Sequence, residues 1–223
     1  MDWTAFRLSV ELAAWTTAIL LPIGLLVGRW LAYHRFRGRG FVEALIALPL
    51  VLPPTVLGYY LLVSFSRDAP IGQLWLAFTG DGLNFSFAGI VLASVIFNLP
   101  FAIQPVQRAF ETVPAHVREA AWCCGLSTSR TLTRIELPLI WPGLISAMVL
   151  TFVHTIGEFG VVLMVGGAID GETKTVAIAI YDRVQAFDDE AAGAMSLVLL
   201  IASFIAIGLV YGLAGRARGV GVR

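Results

Sequence analysis

His154 and Glu158 are the residues whose types and spacing could do chemistry inside an apolar segment of this chain. Four positions apart on a helix, they would share one face and could form half of a metal site or move a proton. Two ligands do not make a metal site, and His34 and His116 fall in polar loops. The sequence therefore favours a structural role for the pair and predicts no metal, with an intramembrane enzyme or a secondary carrier using His154 and Glu158 as the alternative.

Two other kinds of site are excluded by residue counts. Lys174 is the one lysine and Thr173 precedes it, so a phosphate-binding loop of the G-x-x-x-x-G-K-[ST] type cannot form. Cys123 and Cys124 are the only cysteines, and because they are adjacent they provide neither a disulfide framework nor a CxxC metal pair. We predict no cofactor.

The elements that position these residues are membrane spans. Of the 223 residues, 58% are hydrophobic and 13% charged, the net charge is zero, and the mean hydropathy is +0.83. Five apolar segments are each long enough to cross a hydrocarbon core of ~30 Å as a helix. The sequence therefore predicts an all-α polytopic membrane protein with a single transmembrane domain over residues 1–223. The spans are predicted at about 10–31, 41–65, 87–105, 139–165 and 191–214.

Two of these spans are interrupted by residues that break helices. Span two contains Pro53 and Pro54 followed by Thr55, and each proline removes a backbone donor, so this helix is expected to kink or unwind near its middle. Span four contains Gly157 and Glu158 towards its end. Unpaired backbone groups and ionisable side chains are tolerated in a membrane only beside protein or water. These five residues are therefore candidates for the lining of a water-filled pathway through the membrane.

The basic residues divide unequally between the two sides of the membrane. One side carries eleven and the other four, which predicts that the amino terminus lies outside and the carboxyl terminus inside. The inner set is Arg29, Arg35, Arg37, Arg39, Arg108, Arg118, Arg130, Arg134, Arg216, Arg218 and Arg223, and the outer set is Arg7, Arg67, Lys174 and Arg183.

A polar segment from Arg118 to Pro138 lies between spans three and four on the predicted cytoplasmic side. Pro114 suits the first turn of a helix and Gly125 suits a left-handed residue just past its end, so a helix of roughly eleven residues is predicted between them. Such a helix is too short to be stable alone, and its stripe of small residues needs a complementary groove. The stripe consists of Val117, Ala120, Ala121 and Cys124.

Two outer loops are predicted to contain short amphipathic helices. The first runs from about Ile71 to Phe78. The second lies between Asp170 and Glu190, on the membrane surface or against a partner. Its predicted apolar face consists of Val176, Ala177, Ile180, Tyr181, Val184 and Phe187.

The polar segment resembles the EAA loop of the membrane subunits of type I ABC importers. The spacing is E-A-A, three residues, G, nine residues, I, one residue and L-P, and it is carried by Glu119, Ala120, Ala121, Gly125, Ile135, Leu137 and Pro138. In that family the loop docks in a groove of a cytoplasmic ATPase subunit. The resemblance implies the type I importer permease fold, a cytoplasmic coupling loop over about 109–138, and a transport subunit that is not itself an enzyme.

Three further segments are similar to the molybdate permease subunits of this family. They run from Leu48 to Tyr59, from Gly157 to Gly160 and from Gly171 to Thr173. The resemblance implies a homodimer in the cytoplasmic (inner) membrane that passes molybdate or tungstate, with two ATPase subunits and an extracytoplasmic oxyanion-binding protein as partners. Membrane lipid is expected around it and nucleic acid is not. A sulfate or thiosulfate permease is the alternative, because the residues that select the anion cannot be read from the sequence.

Overall fold

Helices form all the regular secondary structure of the computed structural model, which describes residues 1–219 of the chain. The predicted all-α fold is confirmed. In chain order the helices are α1 (Trp3–Tyr33), α2 (Arg39–Val51), α3 (Pro54–Ser64), α4 (Pro70–Thr79), α5 (Phe87–Glu111), α6 (Ala115–Cys123), α7 (Thr128–Thr131), a π-helix (Leu132–Glu136), α8 (Leu137–Gly157), α9 (Gly160–Gly166), α10 (Val176–Gln185) and α11 (Asp189–Gly219).

Four continuous helices are long and apolar enough to cross a membrane. They are α1, α5, the run Thr128–Gly157 that joins α7, the π-helix and α8, and the Asp189–Gly208 part of α11. The helices α2 and α3 form a fifth apolar unit that is bent by 107°. Leu52, which precedes Pro53, has an extended backbone with ψ of 136°, as the residue before a proline prefers. Span two is therefore two helices rather than one kinked helix.

The centre of the bundle is the packing of α1 against α5. A Cβ on Gly24 would lie 2.7 Å from the carbonyl oxygen of Ala102, and one on Gly28 would lie 2.9 Å from the backbone nitrogen of Gln107. Glycine at these two positions lets the helices approach closely, which is how helices associate inside a membrane. Leu12, in the amino-terminal third of α1, is fully buried.

The helix that follows the polar segment packs on the carboxyl-terminal half of α5. Val106 and Phe110 of α5 form a buried cluster with Ile140 and Ala147 of α8. Gly143 lies directly against Ala109, so a side chain there would force the two helices apart. The polar segment is thus anchored by buried helices on both of its flanks.

Span four ends earlier than the sequence predicted. Helix α8 stops at Gly157, Glu158 has an extended backbone with ψ of 130°, and the separate short helix α9 begins at Gly160. Val161 and Val165 of α9 pack with Leu61 and Phe65 at the end of α3. The two broken spans therefore pack against each other.

The two predicted short helices are present as α4 and α10. The buried face of α10 differs from the predicted one, because Val176, Ile178 and Ala179 are buried while Tyr181 and Phe187 are exposed. Val176 and Ala179 pack with Ala5 of α1 and Met195 of α11. The first half of α10 is therefore part of the bundle, and its second half is a surface.

Candidate coupling loop and candidate pathway

Helix α6 is closed at its carboxyl end by a left-handed glycine. Gly125 has a φ of +79°, which confirms the predicted conformation. The backbone N–H of Gly125 donates to the carbonyl of Trp122 at 2.9 Å, and that of Leu126 donates to the carbonyl of Ala121 at 3.1 Å. These bonds satisfy the last carbonyl groups of the helix. A Cβ at Gly125 would meet no atom within 4 Å, so backbone conformation alone demands glycine there.

Helix α6 carries the first part of the EAA spacing. Glu119 and Ala120 are exposed and Ala121 is buried. Trp122, 47% exposed, extends the exposed face beside the two exposed cysteines. Of the predicted stripe, Val117 is partly buried and Ala120 and Cys124 are exposed. Ala121 thus packs towards the protein, and the opposite face of the helix exposes small side chains.

The second part of the EAA spacing runs from the π-helix into the following membrane span. Ser127 accepts from the backbone N–H of Arg130 and caps α7. Ile135 lies in the π-helix, and Leu137 and Pro138 form the first turn of α8. The two halves of the motif therefore lie on different helices, joined by the turn at Gly125.

Sequence reasoning missed a buried ion pair beside this loop. Glu136 is fully buried and accepts from Arg29 Nε at 2.6 Å and from Arg29 Nη2 at 3.2 Å. The sequence did contain one indication of a buried charge: at the start of a span, an acidic residue lies between the two apolar residues Ile135 and Leu137.

A stacked aromatic ring lies next to the ion pair. The guanidinium of Arg118 lies 3.5 Å from the centre of the Tyr33 ring, and that of Arg29 lies 5.5 Å from it. The edge of Phe110 packs on the same ring at 5.6 Å between centres. Arg118 of α6 is thereby in contact with α1.

The five candidate pathway residues lie around the two helix breaks. Pro53 and Pro54 occupy the bend between α2 and α3, and Thr55 follows them on an exposed surface. A Cβ on Gly160, the first residue of α9, would lie 2.6 Å from Pro54 Cβ. Gly157 and Glu158 form the break that precedes α9. The fold therefore brings the interruption of span two close to that of span four.

His154 and Glu158 do not act together in this fold. His154 Nδ1 lies 3.0 Å from Asn98 Oδ1, and the imidazole packs between the rings of Phe97 and Phe101. Glu158 lies past the end of α8, where its carboxylate accepts the N–H of Val161 at 2.9 Å and caps α9. Their predicted common helical face is wrong, because the helix ends at Gly157 between them.

Comparison with known proteins assigns this architecture to a class. Residues 21–219 match the family described as binding-protein-dependent transport system inner membrane component, and the chain belongs to that family. Its members are transport permeases rather than enzymes, which confirms the class that the EAA spacing indicates. The chain is accordingly a multi-pass inner-membrane protein.

Individual relatives are similar along nearly the whole chain. The molybdenum transport system permease protein ModB of Azotobacter vinelandii is 46% identical over 94% of this chain and 93% of its own length. The protein of that name in Escherichia coli K12 is 34% identical over 90% and 88%. A probable sulfate transport system permease of Chlorella vulgaris is 30% identical over 90% and 76%.

Solved structures share the fold. A bacterial ABC transporter that imports the acidic polysaccharide alginate matches with a TM-score of 0.75 at 16% identity, covering 96% of this chain and 78% of that one. The inward-facing MetNI methionine ABC transporter matches with a TM-score of 0.68 at 19% identity, covering 97% and 94%. These likenesses confirm the ABC importer permease fold.

Proposed function

We propose that this chain is the membrane subunit of an ATP-driven importer of molybdate, with tungstate as a second substrate of the same shape and charge. The observation that carries the proposal is the 46% identity over nearly the full length of a molybdenum transport permease. The sulfate alternative has weaker support, since that relative is 30% identical and extends well beyond the matched region.

The EAA loop is the proposed coupling site for the ATPase. Gly125 fixes the orientation of α6, whose exposed small side chains suit a groove on a partner. The second part of the motif is continuous with α8 and so connects the loop to a membrane span. The proposed coupling residues are Glu119, Ala120, Ala121, Gly125, Ile135, Leu137 and Pro138.

The remaining partners follow from the same proposal. Two copies of this chain would enclose the pathway, two ATPase subunits would bind their coupling loops, and an oxyanion-binding protein would dock outside. The excess of basic residues on the side of the coupling loop supports an outer amino terminus and an inner carboxyl terminus. Arg223, which contributes to that count, lies outside the described residues.

The pathway is proposed to run beside the two helix breaks. Pro53, Pro54 and Thr55 lie exposed at the bend of span two, close to the Gly157 and Glu158 break. A membrane tolerates such exposed irregular backbone only beside protein or a water-filled cavity. In a dimer this region would face the space between the subunits.

Reconstitution tests the function directly. The permease is placed in liposomes with its ATPase and molybdate-loaded binding protein, and uptake of labelled molybdate is measured. We expect uptake that needs ATP and the binding protein and that tungstate inhibits more strongly than sulfate. Uptake driven by an ion gradient in liposomes holding the permease alone would instead support a secondary carrier.

A further inference from the structure

The buried carboxylate of Glu136 calls for an explanation that stability does not provide. Glu136 is fully buried and the side chain of its partner Arg29 is 20% exposed. A largely desolvated ion pair is commonly no more stable than an apolar pair of similar volume, because desolvation offsets the attraction. Glu136 nevertheless occupies a fully buried position between two apolar residues of the EAA motif. An arginine that donates two hydrogen bonds to one carboxylate does, however, fix the relative position of the two helices that carry these side chains.

The contact fixes α1 to the start of α8. Arg29 and Glu136 are 107 residues apart in sequence, and both guanidinium nitrogens in the pair reach the carboxylate, Nε at 2.6 Å and Nη2 at 3.2 Å. Glu136 is the last residue of the single π-helical turn. Such isolated turns are rare inside α-helices and are frequent at functional positions. The ion pair therefore fixes the position of the first turn of α8 relative to α1.

One turn further along α1, Tyr33 extends this connection to α6. Its ring contacts the guanidinium of Arg118 at 3.5 Å and that of Arg29 at 5.5 Å. Arg118 Nε is buried and has no hydrogen-bond partner within residues 1–219. Arg118 as a whole is partly exposed, and its close contact with the Tyr33 ring is a cation–π contact, which gains strength as the cation loses water.

Helix α6 depends on such contacts for its orientation. It has nine residues, and Ala121 is its buried residue. A helix of this length does not keep its own orientation in water. The Arg118 contact links it to a rigid helix of 31 residues, and that helix is linked by Arg29 to the 21-residue α8.

We propose that Arg29, Tyr33, Arg118 and Glu136 form a coupling cluster that passes displacement of α6 to α1 and α8. The four are positioning residues: they act between the ATPase-docking surface and the membrane spans. The inference rests on the proposed function, since it assumes that α6 is moved by an ATPase. It adds residues outside the seven positions of the EAA spacing. Two of them, Arg29 and Tyr33, lie on α1, a span that the motif does not include.

Paired variants in the reconstituted complex test the cluster. Arg29→Met with Glu136→Met replaces the ion pair by side chains of similar length, so no buried charge loses its partner. The matched control is Arg7→Met with Glu11→Met, which removes an exposed ion pair of 2.7 Å at the other end of α1. The measured quantity is the number of molybdate ions imported per ATP hydrolysed, together with co-purification of the ATPase.

We expect the Arg29/Glu136 pair variant to bind the ATPase but to import about fivefold fewer ions per ATP, the lower end of typical coupling between linked sites. The control should match the wild type. Tyr33 provides a second test that leaves the ion pair in place. Its hydroxyl is buried without a hydrogen-bond partner among the described residues. Tyr33→Phe should therefore couple normally, whereas Tyr33→Leu, which removes the aromatic face, should lose coupling.

The outcomes separate the cluster from the proposed function. A wild-type complex that imports no molybdate with ATP contradicts the function. A working wild type, with imports per ATP unchanged in both Tyr33→Leu and the pair variant, overturns the cluster alone. Failure of the pair variant to assemble, combined with normal coupling in Tyr33→Leu, would assign these residues to folding and would overturn it as well.

Discussion

At the scale of single residues, two small residues determine local geometry for different reasons, one through its backbone conformation and the other through its side-chain hydroxyl. Gly125 is required for its backbone, since nothing lies near the space that a Cβ would fill. Ser9 is required for its hydroxyl, which donates to the Ala5 carbonyl at 2.9 Å and accepts the N–H of Val176 at 2.8 Å. The first orients the EAA loop, and the second fastens α10 to α1 on the opposite side of the bundle.

Substitution of Gly125 should impair coupling more than folding. Valine at a φ of +79° is strained by of order 1–3 kcal/mol, and relief of that strain would reorient α6. Asparagine tolerates this region and should be nearly neutral. We expect Gly125→Val to insert normally and to lose ATP hydrolysis stimulated by loaded binding protein. Normal stimulation in Gly125→Val would refute the role of this turn, and Gly40→Val, in open space without positive φ, is the control.

Removal of the Ser9 hydroxyl should destabilise the packing of α10 on α1. Ser9→Ala leaves the buried Val176 N–H without its acceptor, which costs about 1–3 kcal/mol. Each kcal/mol corresponds to roughly 2–4 °C in Tm for a protein of this size. Ser146→Ala is the control, because Ser146 bonds only to the carbonyl of Pro142 in its own helix. Equal melting temperatures for the two variants in detergent would contradict the argument.

At the scale of elements, the broken helices are the feature that distinguishes this bundle from a set of straight spans. Helices α2 and α3 meet at 107°, and α9 packs on α3 rather than continuing α8. Much of α2 is exposed, including Phe41 at 75% and Val51 at 80%. A polar contact of Arg39 Nη2 with Glu111 at 2.8 Å holds its first turn to α5. These elements are suited to pack against a second subunit.

The bend between α2 and α3 is expected to be accessible to water. A cysteine at Thr55 should react with a water-soluble thiol reagent in at least one nucleotide state of the assembled complex. Leu200→Cys, at an exposed apolar position of α11 (67% exposed), should remain unreactive in lipid. Both variants need a background without Cys123 and Cys124, which are exposed. Protection of Thr55→Cys in every nucleotide state would place the pathway elsewhere.

At the scale of the whole molecule, charge is distributed so as to disfavour capture of a free anion. On the side proposed to face outward, three of the four basic residues are paired with acids: Arg7 with Glu11, Lys174 with Asp170 and Asp182, and Arg183 with Asp188. Hydrogen bonds that the Lys174 ammonium donates to Asp182 and Asp170 raise the pKa of Lys174, so these stabilising contacts persist at neutral pH and are lost only as the pH rises through that raised value. With the proposed orientation, the remaining acids on this side would leave an outer surface that is negative and repels a divalent anion.

The permease alone should therefore bind molybdate weakly. The described spans carry arginine only near their ends, and Arg29 is already paired with Glu136. Calorimetric titration of the permease–ATPase complex without binding protein should give a Kd weaker than micromolar, or a free energy less favourable than about −8 kcal/mol. Tighter binding would reveal an anion site within the spans. Titration of the loaded and empty binding protein provides the positive control.

The sequence by itself determined the features that depend on neighbours a few positions away. Apolar length predicted the membrane segments, the proline pair predicted the interruption of span two, and Gly125 predicted the end of α6 and its positive φ. Each of these follows from local backbone preferences or from the thickness of a bilayer. The EAA spacing likewise identified the importer family because a linear motif is read along the chain.

Only the tertiary structure decided which distant groups meet. The Arg29–Glu136 pair spans 107 residues, and neither spacing nor periodicity selects that partner. Packing on α3 and the Glu158 cap separated α9 from α8, although the apolar run through this region reads as one span. Packing between α1 and α11 likewise chose the buried face of α10. In each case the deciding free energy comes from contacts between helices, which a chain acquires only when its spans have assembled.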